Sequence, residues 1–106
     1  MSKEEIKILL VDDEKQFVDT LAERLAMRGF SARVAYDGPQ ALKAVEEPTD
    51  VIVLDLRMPG MDGFEVLRSV KKSNPQVQVI ILTGHGGDAE EQTAYRMGAY
   101  NFLKKP

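Results

Sequence analysis

Cysteine is absent from the 106-residue chain, which excludes disulfides and thiolate-held metal and suits a reducing compartment. With one histidine, His85, a histidine-rich metal site is excluded as well. No apolar run approaches the roughly 20 residues that a membrane span needs. The opening Met1-Ser2-Lys3-Glu4-Glu5 is polar and acidic and carries nothing that directs export, so a cytoplasmic protein without membrane contact is expected. Excess positive charge is lacking too. Fourteen Lys and Arg stand against 17 Asp and Glu, a formal net charge of −3, so no broad basic field invites nucleic acid.

What is present is the composition of an ordinary globular protein, 43% hydrophobic and 29% charged, at the length of one domain spanning residues 1–106. Strand-length apolar runs alternate with segments of helical period. Ile6 to Val11 is continuously apolar, as a strand buried on both faces of a parallel sheet requires. Phe17, Leu21 and Leu25 then recur at helical spacing up to Gly29. Ser31 to Ala35, short and half polar, reads as an edge strand, and Ala41, Leu42 and Val45 mark a short helix stopped near Pro48. Val51 to Leu54 is a third strand. Past a Pro59-Gly60 turn, Phe64, Leu67 and Val70 form one helical face that ends at Asn74-Pro75. Val77 to Leu82 is a fourth strand. After a loop with Gly84, Gly86 and Gly87, Asp88 and Glu91 are spaced as a capping box for a helix reaching Met97, and Tyr100 to Leu103 completes the series.

Five strands alternating with four helices predict an α/β domain, an open, doubly wound parallel sheet with helices on both faces. Such sheets bind ligands outside the carboxyl ends of their strands. The residues there are Asp12 and Asp13 after the first strand, Asp55 after the third, Thr83 and Gly84 after the fourth, and Lys104 or Lys105 after the fifth. Converging carboxylates about 4 Å apart repel by about 4 kcal/mol per pair at an effective dielectric near 20, so they call for a cation or a proton. Carboxylates with a carbonyl and waters suit Mg²⁺. A metal-flanked carboxylate is also a nucleophile toward phosphorus, and Asp55 is the central one. Thr83 and Lys105 supply the donors and positive charge that phosphoryl oxygens need, and Gly84 leaves the approach open.

The runs "ILLVDDE", "DVIVLDLRMPGMDGFEVL", "ILTG" and "GAYNFLKKP" cover nearly the whole chain, and in order and spacing they resemble the receiver domains of two-component response regulators. The resemblance implies a flavodoxin-like, chemotaxis-regulator-like sheet of order 2-1-3-4-5. It implies a phosphoprotein that takes a phosphoryl group onto Asp55 with Mg²⁺, from a histidine kinase, a phosphotransfer protein or a small acyl phosphate. Asp13 would be a direct metal ligand and Asp12 would act through metal-bound water, with the Arg57 backbone carbonyl as a further ligand. Thr83 becomes the switch hydroxyl, and Lys105, immediately before Pro106, the phosphate-binding lysine. Phe102 stands at the switch aromatic position without the hydroxyl of a tyrosine. Arg57 and His85 fall where receivers tune phosphate lifetime. Such a domain promotes its own phosphorylation and dephosphorylation without being a turnover enzyme, and signals to an output domain or target protein. Receivers continue into a fifth helix that this sequence does not contain, so a sheet face beside the first helix is expected to be partly bare, a surface for self-association.

Taken singly, these residues have plainer readings. Asp12 and Asp13 serve equally well as caps of the first helix, with Asp13 and Gln16 spaced for a capping box. Asp62 before Gly63 is a turn and N-cap, His85 a solvent-facing loop residue, and Thr83 and the Lys104-Lys105 pair ordinary solvated groups. Asp55 is the exception, because an acid ending a buried strand needs a partner or an ion. An aspartyl phosphatase would need a second acid two residues later, where Arg57 stands. A flavin binder would need a loop after the first strand that does not repel phosphate. The alternative that remains is a phosphorylation-independent interaction module on the same fold.

Overall fold

The computed structural model describes residues 5–84 and 86–106. Its elements run β1 (Lys7–Val11), α1 (Lys15–Met27), β2 (Ser31–Ala35), α2 (Gly38–Ala44), β3 (Val51–Leu54), α3 (Gly63–Ser73), β4 (Gln78–Thr83), α4 (Asp88–Arg96) and β5 (Asn101–Lys104). All five strands are parallel, in the order β2-β1-β3-β4-β5. The chain therefore starts in the interior of the sheet, adds β2 on one side as an edge, and then crosses over to build β3, β4 and β5 on the other. The reversal of direction lies between β1 and β3, where such sheets open a crevice at the carboxyl edge.

Successive residues of β1 point to opposite faces, so its unbroken apolar run feeds two cores. Ile8 and Leu10 pack with Val18 of α1 and with the half-buried Leu21, Leu25, Phe30 and Val53. Leu9 and Val11 turn the other way, into the larger core that β3, β4, α2, α3 and α4 build with Ile52, Leu54, Val66, Leu67, Val79 and Ile81. Burial of each such side chain stabilises the fold by about 1.5–3 kcal/mol. One helix thus covers the first face and three cover the second. On the α1 side of β4 and β5, Ile80 and Leu82 are half-buried and Leu103 is exposed.

The elements lie where the apolar pattern puts them, and the differences are at their ends. Both β4 and β5 run one residue further than the apolar runs suggest, so Thr83 and Lys104 are themselves paired strand residues. The cap of α4 lies one residue before the expected Asp88: Gly87 is the N-cap, and its N–H donates to Glu90 Oε1 at 2.9 Å. Asp62 caps α3 as expected, accepting from the Glu65 N–H at 3.1 Å, and Asp37 does the same for α2 through the Gln40 N–H at 2.8 Å. The Asp13–Gln16 capping box does not form. Helix α1 takes Glu14 as its N-cap without a side-chain cap bond, because the Glu14 N–H donates to Asp12 Oδ1 at 2.9 Å.

One contact between α3 and β3 sets the height of the site floor. The Gly63 N–H donates to the Leu56 carbonyl at 2.8 Å, and a Cβ on Gly63 would stand 2.3 Å from the Asp55 carbonyl oxygen and 2.7 Å from Leu56 Cα. Backbone atoms cannot yield to a methyl group as a side chain can. Gly63→Ala is accordingly expected to destabilise the domain by about 1–3 kcal/mol, the usual cost of overpacking, read as a lower urea midpoint at unchanged slope.

Candidate functional site

Among the described residues the buried polar side chains are Asp12, Asp55 and Thr83, and all three stand at the carboxyl ends of strands. Backbone bonds hold them there. The Asp12 N–H donates to the Ala35 carbonyl at 3.1 Å and the Asp55 N–H to the Val11 carbonyl at 3.0 Å, extending the ladder one step beyond the last apolar residues. The Lys105 N–H donates in the same way to the Thr83 carbonyl at 2.9 Å, which brings the lysine stem back over the site.

Carboxylate oxygens of Asp12, Asp13 and Asp55 lie within 4.8 Å of one another, Asp13 exposed and the other two buried. Asp55 Oδ1 is buried without a hydrogen-bond partner. A buried anionic oxygen in that condition is costly unless an ion or proton meets it. The donor set is three hard carboxylate oxygens open to solvent on the Asp13 side, which fits a divalent cation of the Mg²⁺ or Ca²⁺ kind rather than a thiophilic metal.

The Lys105 ammonium pairs with Asp12 Oδ2 at 2.8 Å, with Glu14, and at 3.8 Å with Asp55 Oδ2. It also stands over the Phe17 ring, 4.6 Å from the centroid. Burial by itself pushes this ammonium toward its neutral form. Hydrogen bonds to Asp12 and Glu14 and the charges of Asp55 and Asp12 outweigh that and hold its pKa above the ordinary lysine value. For Asp55 the balance falls the other way. Burial pushes its carboxyl above the usual range and the Asp12 charge adds to the effect, while the Thr83 hydroxyl, Lys105 and the Leu56 N–H work against it.

Thus Asp12, Asp13, Asp55, Thr83 and Lys105 converge as their strand-end positions predict. Gly84 leaves room beside them, since a Cβ there would meet nothing nearer than Lys105 Cδ at 4.0 Å. Phe102 is buried, turned into the larger core. Gly86, at φ 126°, lies so close to it that a Cβ would stand 3.0 Å from Phe102 Cζ. Arg57 is exposed on the loop after β3, and its charge helps hold the Glu90 carboxyl below its usual range, an effect led by the Gly87 N–H and Glu90's own N–H. His85 lies outside the described residues. Two contributors escape a reading by strand ends, Glu14 and Phe17, both gathered around Lys105; only the position of Glu14 directly after the acidic pair hints at a role.

Comparison with known proteins agrees with this geometry. Residues 8–106 match the response regulator receiver domain family. The transcriptional regulatory protein CpxR of Escherichia coli (strain K12) is 38% identical over 100 residues, covering 94% of this chain and 43% of that protein. A putative response regulator of the NtrX-like kind from Rickettsia bellii is 39% identical over 104 residues, covering 95% of this chain and 22% of the relative. The chain therefore spans less than half the length of these curated relatives. Among solved structures, a response regulator receiver domain protein from Clostridium thermocellum superposes with a TM-score of 0.89 at 35% identity, over 95% of this chain and 82% of the other. A response regulator from Burkholderia pseudomallei, solved with a phosphorylated aspartic acid, a calcium ion and citrate, gives 0.91 at 30% identity, over 96% and 61%. With its sheet order, its acidic edge and its sequence in agreement over nearly the whole length, the chain belongs to the response regulator receiver domain family.

Proposed function

We propose that the chain is a phosphoacceptor, taking a phosphoryl group onto Asp55 from a histidine kinase, a phosphotransfer protein or a small acyl phosphate, with Mg²⁺ as cofactor. The observation that carries this reading is the unpartnered, buried Asp55 Oδ1 amid two further carboxylates, with a threonine hydroxyl and a lysine ammonium beside it. The phosphorylated aspartic acid and calcium ion in the similar Burkholderia protein support it.

Asp13 and Asp55 would hold the cation directly and Asp12 through water, with the Arg57 carbonyl completing the set. When bound, the cation offsets the repulsion among the carboxylates and screens the incoming phosphoryl oxygens. A carboxylate oxygen of Asp55 attacks phosphorus, a P–O bond to Asp55 forms, and the bond to the donor's nitrogen or oxygen breaks with its electron pair leaving on the donor. The Lys105 ammonium turns from Asp12 and Glu14 to a phosphoryl oxygen, and the Thr83 hydroxyl donates to another. Hydrolysis reverses the charge change: water attacks phosphorus, inorganic phosphate leaves and the Asp55 carboxylate returns. We assign tuning of this step to Arg57, exposed on the loop after β3, and, on the family resemblance alone, to His85. The chain promotes both steps on itself, as its own substrate, and does not act as a turnover enzyme.

The phosphorylated state biases Thr83 toward the phosphoryl group and shifts Phe102 in its pocket beside Gly86, remodelling the α4 side read by an output domain or target protein. Among the described residues no helix is long and apolar enough to cross a membrane, and we assign the signalling to the cytoplasm.

Intact-mass spectrometry after incubation with acetyl phosphate and Mg²⁺ tests the reading. One added phosphoryl group is expected on the native chain and none on Asp55→Asn or in the presence of chelator. Absence of addition to the native chain would favour a phosphorylation-independent interaction module. A second expectation follows from the raised pKa of Asp55. The folded state binds this proton more tightly than the unfolded state, so the associated stability is fully present below the ordinary value of 3.8 and is lost as pH rises through the folded value. In metal-free buffer Asp55→Asn is therefore expected to melt higher than the native chain near neutral pH and to lose that advantage in acid. Mg²⁺ at a hundredfold over its Kd should raise the native chain's stability by about 2.7 kcal/mol, and that of the Asn variant by much less.

A further inference from the structure

Lys105 is the cation on which phosphoryl binding depends, yet in the resting structure its ammonium is engaged elsewhere. It is 2.8 Å from Asp12 and 3.8 Å from Asp55, and it is in direct contact with Glu14. Glu14 is not one of the three clustered metal-site carboxylates. Its side chain is 64% exposed, and its backbone is fixed at the head of α1 by the bond from its N–H to Asp12 and by the Val18 N–H donating to its carbonyl at 3.0 Å. The Phe17 ring, one turn into α1, supplies a face beneath the same ammonium. The start of α1 thus forms a seat for the Lys105 head, while its backbone N–H is held to β4 through the Thr83 carbonyl.

We propose that Glu14 is a positioning residue that holds the Lys105 ammonium on the α1 side of the site and competes with the phosphoryl group for it, so that its carboxylate lowers the affinity of the site for the tetrahedral anion at Asp55. The inference rests on the phosphoacceptor reading above and adds to it a residue outside the metal and acceptor set. Its physical basis is that Asp12 and Glu14 already hold two of the three ammonium donors and fix where the third can reach, so a new anion at Asp55 draws the ammonium against their pull. Glu14 is the exposed one, which solvates readily when released.

The test uses beryllium trifluoride, a phosphoryl mimic, titrated in the presence of Mg²⁺ into the native chain, Glu14→Gln, Lys105→Met and the double variant, followed by amide NMR shifts. Glu14→Gln should lower the half-saturating concentration about two- to fivefold, the scale of one exposed ion pair. In the Lys105→Met background the same substitution should change it by much less, because the competition no longer exists. An undiminished effect there would mean that Glu14 acts only through its charge, and the proposal would be overturned. So would unaltered affinity in Glu14→Gln. Should Lys105→Met not bind the mimic measurably, the Lys105 ammonium resonance of the unliganded chain decides: it should shift and lose exchange protection in Glu14→Gln, and no change would overturn the proposal. Failure of the native chain to bind the mimic would instead remove the phosphoacceptor reading itself.

Discussion

Negative charge that cannot disperse into water governs this domain. Asp12 and Asp55 end buried strands and are fixed side by side by the sheet, and exposed Asp13 adds a third carboxylate within 4.8 Å. Two compensations are at hand, an internal ammonium and the vacancy in bonding at Asp55 Oδ1 that a cation fits. The internal one is incomplete, since Lys105 is nearer to Asp12 than to Asp55. The raised pKa of Asp55 and the receptivity of the site to a cation are two expressions of that single deficit.

The doubly wound sheet is what makes the deficit possible. Parallel strands all end at the same edge, so four separate segments of chain deliver polar groups to one crevice. The apolar residues behind them, from Leu9 to Ile81, are too tightly packed for the carboxylates to retreat inward. Gly63 closes the floor from beneath the Asp55 carbonyl. Packing and charge therefore oppose each other here: the same burial that strengthens the sheet holds Asp55 in a state that favours a partner.

Much of this was legible in the residues because the strands are apolar and end abruptly in acids. Val51 to Leu54 followed by Asp55 leaves little choice of element or direction, and the strand-end rule then locates Asp12 and Thr83 without coordinates and narrows the lysine to Lys104 or Lys105, between which the family resemblance chooses. Helix caps were less legible. Asp88 and Glu91 have the right spacing, yet Gly87 and Glu90 take the role, because a cap is selected by the φ and ψ at the turn, and the Gly86-Gly87 pair lets the chain turn one residue earlier. The Asp13–Gln16 spacing misleads because the helix begins one residue later, with Glu14 as its N-cap. Glu14 could not be assigned from its neighbours at all, since its partner is 91 residues away in sequence. Long exposed side chains take their meaning from whatever the fold brings opposite them.

The hydrogen bond from the Lys105 N–H to the Thr83 carbonyl has a mechanical consequence for this edge of the sheet. Thr83 stands on the last rung of the β4–β5 ladder, registered against Lys104, and Lys105 follows directly. Neither backbone can advance without the other. Rearrangement at this corner of the crevice is thus confined to torsions of the hydroxyl and the lysine stem, for which the sheet edge is a fixed chassis.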